Sequence, residues 1–247
     1  MTIPKTHPRY ASLMTREKIA EGVEKGIASV HGLIAHGRGE AFDYLIGEKT
    51  TNAAKKSIDS AAALLSLAKN PVISVNGNVA ALAAKELVQL SKAIPAKLEV
   101  NIFHASKQRE LKIKNELIRN GAEEVLLPQK NCKIKYLDSN RKYVNKNGIY
   151  KADVVFVPLE DGDRTEALVK NGKKVVVVDL NPMSRSAKKA TIAIVDNITR
   201  AVPSLTKTIE RLKKYNLSEK QLEVIVKHHD NKKRLNEALK IINRNLV

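Results

Sequence analysis

Four consecutive valines, at positions 175–178, limit the fold of this chain more than any other part of its sequence. β-Branched side chains favour extended backbone, and a strand that is apolar at every position must be buried on both faces. Such strands are typical of parallel sheets that helices cover on both sides. The segment Lys173–Asp179 therefore predicts a central strand of a parallel sheet.

Strands and helices alternate along the rest of the chain. Further strands are predicted at 71–75, 97–103, 124–127, 152–158 and 191–196. Helical patterns are found at 15–25, 50–68, 79–92, 107–119, 163–171, 198–215 and 218–245. Strands separated by helices indicate βαβ units. The predicted fold class is therefore α/β, a three-layer and mostly parallel sheet with additional N- and C-terminal helices.

The chain length of 247 residues fits one large domain. We expect a helical N-terminal part at 1–70, a core that contains the sheet at 71–200, and C-terminal helices at 201–247. The least regular stretch is 128–151, which is polar and rich in Asn and Lys. It predicts a loop or a small hairpin with its turn near Asn147-Gly148.

The net charge of +18 indicates a polyanionic partner. One alternative is a basic α/β protein that binds RNA or DNA, and its binding would weaken steeply with salt. Against it, the chain lacks Trp and only 4% of its residues are aromatic, so it offers few platforms for stacked bases. A basic field also attracts nucleotides and phosphorylated acids, and we expect these rather than a nucleic acid partner.

The sequence predicts neither a membrane protein nor a secreted one. No apolar run reaches the roughly 20 residues that cross a bilayer, and the N-terminal segment lacks an apolar signal core. Cys132 is the only cysteine, which excludes an internal disulfide and a cysteine-based zinc cage. We expect a cytoplasmic protein without a dedicated metal site.

The segment 33–44 concentrates ionisable side chains, among them His36, Arg38 and Glu40. Glycines flank Arg38, and without a Cβ on either side the backbone can approach a ligand. The guanidinium can then present its planar set of donors to phosphate or carboxylate. A structural turn needs the glycines but not this density of charge, so we predict a ligand site. The alternative is a surface loop with solvated charges.

Polar residues follow two of the predicted strands, at the edge where parallel sheets bind ligands. Asn76-Gly77-Asn78 predicts a tight turn into an alanine-rich helix, whose N-terminus would be open to an anion. An ordinary strand-to-helix turn fits these residues equally well. The motifs G-x-G-x-x-G and G-x-x-x-x-G-K-[ST] are both missing from the sequence, so neither a dinucleotide fingerprint nor a P-loop is predicted.

The second polar strand end follows the valine strand, at 179–186. Asp179 can accept hydrogen bonds from a ribose or a purine edge, or hold Mg²⁺ through its oxygens. Arg185 and Ser186 can donate to phosphate. The alternative is a turn that Asp179 and Ser184 cap before a short helix.

Two weaker signals lie elsewhere. At a third strand end, Asn197-Ile198, a side-chain amide can read a base edge. Arg16, on the first predicted helix, is by itself typical of a solvated charge. Since no nucleophile elbow is present, the sequence nominates no catalytic triad.

Four blocks of the sequence together resemble a known family. They are Ile3–Tyr10, Gly32–Leu45, Pro71–Leu82 and Val178–Ser186. From about residue 3 to the last helices, the chain is similar to the archaeal phosphopantothenate synthetases, also called 4-phosphopantoate–β-alanine ligases. The resemblance implies a homodimer with a Rossmann-like core that joins 4-phosphopantoate to β-alanine, on the archaeal route to coenzyme A. It also implies that ATP activates the acid as an acyl-adenylate, with release of diphosphate and then AMP.

The resemblance further implies a set of ATP contacts. They are Arg16, Arg38, Asp179, Leu180, Asn181, Arg185, Ser186, Asn197 and Ile198. For this chemistry we expect Arg38, with Arg16 or Arg185, to offset charge on the triphosphate, and Mg²⁺ to assist.

The other two substrates need residues of their own. His36 or Glu40 would take the proton from the ammonium group of β-alanine. Asn76, Gly77 and Asn78 would bind the phosphate of the acid. The alternative enzyme is another ATP-dependent amide ligase or a kinase, and release of AMP rather than ADP separates adenylation from phosphorylation.

Overall fold

The computed structural model describes residues 3–245, and a six-stranded sheet with parallel neighbours lies at its centre. The strands are β1 (Pro71–Val75), β2 (Lys97–Val100), β3 (Val125–Leu126), β4 (Gln129–Lys133), β5 (Tyr143–Val144), β6 (Val154–Pro158), β7 (Lys174–Val178) and β8 (Ile192–Ile194). Across the sheet the order is β3-β2-β1-β6-β7-β8, whereas β4 and β5 form a separate antiparallel pair. The predicted α/β class is confirmed.

Helices cover both faces of the sheet. They are α1 (Tyr10–Glu24), α2 (Val30–Ile46), α3 (Asn52–Ser66), α4 (Gly77–Ala93), α5 (Lys107–Arg119), α6 (Gly162–Lys170), α7 (Arg185–Lys189), α8 (Ile198–Lys214), α9 (Glu219–Lys227) and α10 (Asn231–Asn245). One core joins the sheet to α1, α3, α4, α5 and α8, and a second core joins the opposite face to α6, α7 and α10. The predicted helices at both ends of the chain are therefore confirmed.

The valine strand is buried on both faces, as its sequence predicts. Val176 and Val178 pack into the first core, whereas Val175 and Val177 pack into the second. All four residues are 0% exposed. Because full burial of a valine side chain stabilises the fold by about 1.5–3 kcal/mol, β7 contributes strongly to the cohesion of the three layers.

The strand order reverses between β1 and β6. The chain runs outward from β1 to β2 and β3, then returns to β6 and continues outward to β7 and β8 on the other side. The loops that follow β1 and β6 therefore turn away from each other and leave a crevice at the carboxyl edge of the sheet. The residues next to this crevice are Asn76–Asn78 after β1 and Leu159–Gly162 after β6.

The glycine-rich segment 33–44 lies inside α2, so the alternative of a surface loop is wrong. Ser29 caps this helix by accepting a hydrogen bond from the backbone N–H of Gly32, and Gly47 ends it with a φ of 90°. These two end signals outweigh the glycines inside the helix, which cost about 1 kcal/mol each relative to alanine.

Three further local expectations differ from the structure. The turn of the β4–β5 pair spans residues 134–142 rather than Asn147-Gly148, and it includes a short 3₁₀-helix at Asn140–Lys142. The tight turn predicted at Asn76-Gly77-Asn78 is shorter than expected, because α4 already begins at Gly77. Asn76 caps this helix, and its side chain accepts from the backbone N–H of Val79 at 3.1 Å. The predicted helix 218–245 is two helices, α9 and α10.

Within residues 3–245, no helix combines the length and the apolar composition needed to cross a bilayer.

A buried carboxyl group ties the irregular segment to the sheet. Glu99 on β2 is 0% exposed, and its two oxygens accept hydrogen bonds from the backbone N–H groups of Asn145 at 2.9 Å and Ile149 at 2.7 Å. Gly148 lies directly against this carboxyl group, where a Cβ would overlap with Oε2. Burial raises the pKa of Glu99 to about 7, although the two N–H groups lower it in part.

Replacement of Glu99 by Gln should flatten the pH dependence of stability. The pKa of Glu99 is about 7 in the folded chain, against an ordinary 4.5. The folded state therefore keeps a proton that the unfolded state releases between these values, and stability falls as the pH rises through this window. The loss amounts to on the order of 3 kcal/mol.

Urea unfolding from about pH 5 to pH 8 would measure this difference in wild type and in Glu99→Gln. The exposed Glu124→Gln is the matched control and should keep the wild-type slope. Equal slopes for wild type and Glu99→Gln would contradict the prediction.

Candidate active site

A cavity of about 400 Å³ opens at the carboxyl edge of the sheet, between α2 and the segments that follow β6, β7 and β8. Most of the predicted site residues line it. They are His36, Arg38, Glu40, Asn78, Asp179, Leu180, Asn181, Arg185, Ser186, Asn197 and Ile198. Asn76 and Gly77 line an adjoining cavity instead, and Arg16 lines neither of the two.

α2 forms one wall of this cavity. Ala35, His36, Gly39 and Phe42 share one helix face and line it, because positions three and four apart fall on the same side. Gly39 lets the helix lie close to the segment after β7, where a Cβ would be 3.7 Å from Cδ1 of Leu180. Gly39 therefore allows the backbone of α2 to lie close to the cavity.

Arg38 offers an uncommitted guanidinium to the cavity. It is exposed, and it takes part in none of the ion pairs found among residues 3–245. Burial raises the pKa of Asp179 at the end of β7, and the positive charge of Arg38 is one of the causes that lower it in part. An arginine in this state is free to bind an anionic ligand.

His36 lies half-buried beside it. Burial is the main cause that lowers the pKa of His36 below the ordinary histidine value, and Arg16 lowers it further, whereas Glu40 and Asp43 raise it. Nε2 of the ring is buried without a hydrogen-bond partner. The imidazole is therefore neutral at pH 7 and retains an unused ring nitrogen.

Glu40 is held by an arginine of the neighbouring helix. Nε of Arg16 lies 2.8 Å from Oε1 and 2.9 Å from Oε2 of Glu40. Nη2 of Arg9 lies 3.9 Å from Oε1 of the same carboxylate. Arg16 thus fastens α1 to α2 behind the wall of the cavity. Its role as a nucleotide contact stays a prediction, as does the role of Glu40 as a base.

The segment after β7 is a compact turn. Asp179 accepts from the backbone N–H of Asn181 at 2.9 Å and from Oγ of Ser184 at 2.5 Å. Ser184 in turn caps α7, so the predicted capping role of Ser184 is confirmed. Asp179 fixes the turn and also faces the cavity, which leaves its ligand role as a prediction.

Arg185 and Ser186 are both engaged with α6 and the loop before it. Arg185 forms ion pairs with Asp163 and, at 2.6 Å, with Glu166. Oγ of Ser186 donates to the carbonyl oxygen of Glu160 at 2.5 Å. Both residues line the cavity, but a phosphate would have to compete with these partners.

The side-chain amide of Asn197 already has partners within the protein, and its role in reading a base edge stays a prediction. Its Nδ2 donates to Asp43 at 2.8 Å, and its Oδ1 accepts from the backbone N–H and the hydroxyl of Thr199. Arg200 also bonds Asp43 and Asp196, so α2 and α8 are joined by one polar network. What Asn197-Ile198 presents to the cavity is the N-terminus of α8.

The adjoining cavity has a volume of about 260 Å³ and lies at the N-terminus of α4. Asn76, Gly77 and Asn78 line it, and it shares Asn78 and Asp161 with the larger cavity. Nδ2 of Asn76 donates to the carbonyl oxygen of Leu159 at 2.8 Å, and Nδ2 of Asn78 donates to that of Gly32 at 2.7 Å. The polar residues after β1 therefore connect the loop after β6 with α2.

Sequence reasoning missed the four charged residues Arg109, Arg141, Glu160 and Asp161, which also line these two cavities. Glu160 and Asp161 follow β6, and the same rule that selected the other strand ends would have found them. Arg109 on α5 and Arg141 between β4 and β5 reach the site only through the fold, and no local pattern marks them.

Comparison with known proteins places the chain in a family. A model of the phosphopantothenate/pantothenate synthetase family matches residues 53–245. A 4-phosphopantoate--beta-alanine ligase of Thermococcus onnurineus is 55% identical over 240 residues, which are 96% of this chain and 90% of the relative. The protein of the same name from Thermococcus kodakarensis is 54% identical, over 97% of this chain and 91% of the relative.

A more distant archaeon gives the same result. The 4-phosphopantoate--beta-alanine ligase of Methanosarcina mazei is 50% identical over 244 residues, which are 99% of this chain and 95% of the relative. The match extends over α1 and α2 as well as the sheet. With these relatives and the cavities at its sheet edge, the chain belongs to the phosphopantothenate/pantothenate synthetase family, as its sequence blocks predict.

Proposed function

We propose that this chain is a cytoplasmic ligase that condenses 4-phosphopantoate with β-alanine to 4′-phosphopantothenate, with ATP converted to AMP and diphosphate. The observation that carries the proposal is the pair of cavities that share Asn78 and Asp161 at the carboxyl edge of the sheet. The larger cavity holds the uncommitted Arg38 and suits a nucleotide. The smaller one lies at a helix N-terminus and suits a second anion. The names of the relatives supply the substrates.

The reaction needs activation because a carboxylate is a poor acyl donor. In the first step a carboxylate oxygen of the acid attacks the α-phosphorus of ATP, an O–P bond forms, and diphosphate leaves with the electrons of the bond that breaks. In the second step the amine of β-alanine attacks the acyl carbon, and AMP leaves. The chain itself has only to position the reactants and balance their charge.

Arg38 balances the charge of the triphosphate in this proposal. It stands on the flank of α2, exposed to the cavity and free of carboxylate partners in the described part of the chain. The N-terminus of α8 adds partial positive charge from the opposite wall. Leu180 and Ile198 supply apolar surface for the base.

Mg²⁺ enters with the nucleotide. No cluster of three or more His, Cys, Asp and Glu side chains suited to a metal is found in residues 3–245. Mg²⁺ is commonly bound by phosphates and one or two carboxylates, and Asp161 fits this part because its side chain is 58% exposed in the cavity. The bound ion would neutralise charge on the phosphates.

His36 accepts the proton from the amine in this proposal. Its imidazole is neutral because burial lowers its pKa, and Nε2 has no partner among the described residues. Glu40 is the weaker candidate, since Arg16 occupies both of its oxygens.

A direct assay tests the proposed function. Purified protein would be incubated with ATP, Mg²⁺, 4-phosphopantoate and β-alanine, with AMP followed by chromatography and the product by mass spectrometry. AMP in equal amount to 4′-phosphopantothenate is the expected result. Release of ADP would indicate a kinase or a ligase that phosphorylates its acid. No turnover, together with binding of RNA or DNA that weakens steeply with salt, would favour the alternative protein class.

Replacement of Arg38 by Ala should lower kcat by about 10²–10³-fold with the fold intact, because a preorganised cation at the developing charge is lost. Steady-state kinetics and the thermal unfolding temperature would measure this. Arg119→Ala is the matched control, since Arg119 is exposed on α5 and pairs only with Glu116. Near-normal turnover of the Arg38 variant would remove this residue from the mechanism.

Replacement of His36 by Asn should lower kcat at pH 7.5 by at least about 10²-fold. In wild type the activity should fall as the pH drops through the pKa of His36, which burial holds below the ordinary histidine value. This acid limb should vanish in the variant. A pH–rate profile checks both effects, with the exposed His228→Asn as the control. An unchanged acid limb would contradict the assignment.

We infer further that the chain forms a homodimer through α2. Four of its apolar side chains are exposed, namely Val30 at 61%, Leu33 at 38%, Ile34 at 69% and Tyr44 at 67%. Only two residues of this 17-residue helix are buried. A contiguous exposed apolar patch of this kind marks an interaction surface.

The exposed apolar residues of α2 form a stripe along the helix, and the spacing of this stripe suits a second copy of the same helix. Positions 30, 34, 37, 41 and 44 follow a heptad pattern, and Gly37 lies at its centre with nothing within 4 Å of a Cβ placed there. If two copies cross antiparallel at Gly37, Val30 of one copy faces Tyr44 of the other, and Ile34 faces Ala41. Such an arrangement is self-complementary, as a two-fold interface requires.

Replacement of Ile34 by Glu should convert the dimer to a monomer, because two unpaired carboxylates would be buried at the interface. Light scattering coupled to size exclusion would give the mass at micromolar concentration. Val224→Glu, at another exposed apolar position, should remain dimeric. A monomeric wild type, or a dimeric Ile34 variant, would contradict the inference.

A further inference from the structure

The smaller cavity contains a buried arginine that none of the roles described so far uses. We propose that Arg141, with Arg109 and the N-terminus of α4, binds the phosphate monoester of the acid substrate in this cavity. The proposal rests on the proposed function, and it deepens it by assigning the group that distinguishes a phosphorylated acid from a plain one.

Arg141 carries the argument. It is 5% exposed, yet it lines the cavity, and its Nε has no hydrogen-bond partner within residues 3–245. Its Nη1 contacts Glu160 and lies 3.2 Å from Oδ2 of Asp161. A buried guanidinium donor without an acceptor is unfavourable, so the cavity favours a ligand that supplies an anionic oxygen.

The buried charges around Arg141 do not balance. Arg141 and Arg164 share the carboxylate of Glu160, and the side chains of all three are at most 6% exposed. Nε and Nη2 of Arg164 also lack partners among the described residues. Arg109 adds a third guanidinium, and its hydrogen bonds in the described part of the chain go to the carbonyl oxygens of Ile27 and His104.

Two nearby carboxyl groups reduce this surplus of positive charge but do not remove it. Asp161 contributes one negative charge. Glu99 interacts with Arg164, but burial raises the pKa of Glu99 to about 7, so it is only partly ionised at neutral pH. Uncompensated buried charge is costly, and a phosphate dianion would offset it better than the single charge of a carboxylate.

The start of α4 supplies donors on the opposite side of the cavity. This helix is 17 residues long, and the N–H groups of its first turn carry the positive end of its dipole. Gly77 packs so closely that a Cβ would lie 2.9 Å from Nη2 of Arg109. The guanidinium of Arg109 therefore lies over the N-terminus of the helix. His31 and His104, with ring centroids 4.9 Å apart, line the same cavity.

The shape of the acid fits the two cavities. In 4-phosphopantoate a short carbon chain with two methyl groups separates the phosphate from the carboxylate. With the phosphate at Arg141, the chain can pass Leu159 and Asn78, which both cavities share, and bring the carboxylate into the nucleotide cavity. Ile102 and Phe103 offer apolar surface to the methyl groups.

The backbone of Arg141, in the segment between β4 and β5, is held by a hydrogen bond from Asn101, the residue directly after β2. It belongs to the 3₁₀-helix Asn140–Lys142, and Nδ2 of the buried Asn101 donates to the carbonyl oxygens of Arg141 at 3.2 Å and Tyr143 at 3.0 Å. The irregular segment thus carries an arginine into the site from outside the parallel sheet.

The test compares wild type with Arg141→Gln in steady-state kinetics. We expect KM for 4-phosphopantoate to rise by about 10–100-fold, and the preference for 4-phosphopantoate over unphosphorylated pantoate to fall by a similar factor. KM for ATP and β-alanine should stay within about threefold. Lys142→Gln, which removes a neighbouring charge that lines neither cavity, should behave as wild type.

Calorimetric titration with 4-phosphopantoate in the absence of ATP gives an independent readout. Wild type should bind and Arg141→Gln should bind at least about tenfold more weakly, while both bind ATP equally. Because a buried arginine is replaced, thermal unfolding would be recorded, and the half-buried Arg109→Gln provides the same comparison if the first variant does not fold.

The outcomes separate the two proposals. An active wild type whose Arg141 and Arg109 variants keep their KM for 4-phosphopantoate would overturn the phosphate site and leave the proposed function intact. A rise in KM for β-alanine instead would assign the cavity to the carboxylate of the amine and also overturn it. A wild type that binds 4-phosphopantoate through Arg141 but forms no AMP would support the site and overturn the proposed reaction.

Discussion

The pairing of β1 with β6 is the interaction on which the rest of the structure depends. Pro71, Val72 and Ile73 pair with Val154, Val155 and Phe156 in the middle of the sheet, at the point where the strand order reverses. The loops after these strands therefore diverge and leave a crevice between them. Asn76 then bridges to Leu159 across this crevice, and both residues line the smaller cavity. The sheet thus creates the space, and the polar strand ends determine what can occupy it.

The arginines of the site fall into two groups that do different work. Arg16, Arg185 and Arg200 each bind carboxylates of neighbouring elements, and they hold α1, α7 and α8 in place. Arg38 and Arg109 bond no carboxylate in the described part of the chain, and Arg141 shares the carboxylate of Glu160 with Arg164. The unbalanced charge is thus concentrated around the two cavities, where anions would balance it. A net charge of +18 alone does not reveal this, since surface lysines dominate the count.

Local patterns predicted the elements of the sheet well, because burial of a parallel strand leaves a direct trace in its sequence. The run Val175–Val178 is the clearest case, and the helix predicted at 50–68 corresponds to α3. The predicted helical patterns did not include α2, because its internal glycines are also compatible with a loop unless the caps at Ser29 and Gly47 are weighed against them. Arg141 was beyond reach, since Asn101, forty positions earlier in the chain, fixes its place.

Opposite faces of α2 carry the wall of the nucleotide cavity and the proposed dimer contact. At about 100° per residue, Gly39 and Phe42 face the nucleotide cavity, whereas Val30, Ile34 and Tyr44 face the opposite way. Arg38 and Glu40 lie on the two flanks between these faces. A second copy packed on the apolar stripe would therefore cover solvent beside Arg38 without entering the cavity. Removal of water strengthens the attraction between a guanidinium and phosphate, so the same contact that buries the stripe would make Arg38 a stronger ligand for the nucleotide.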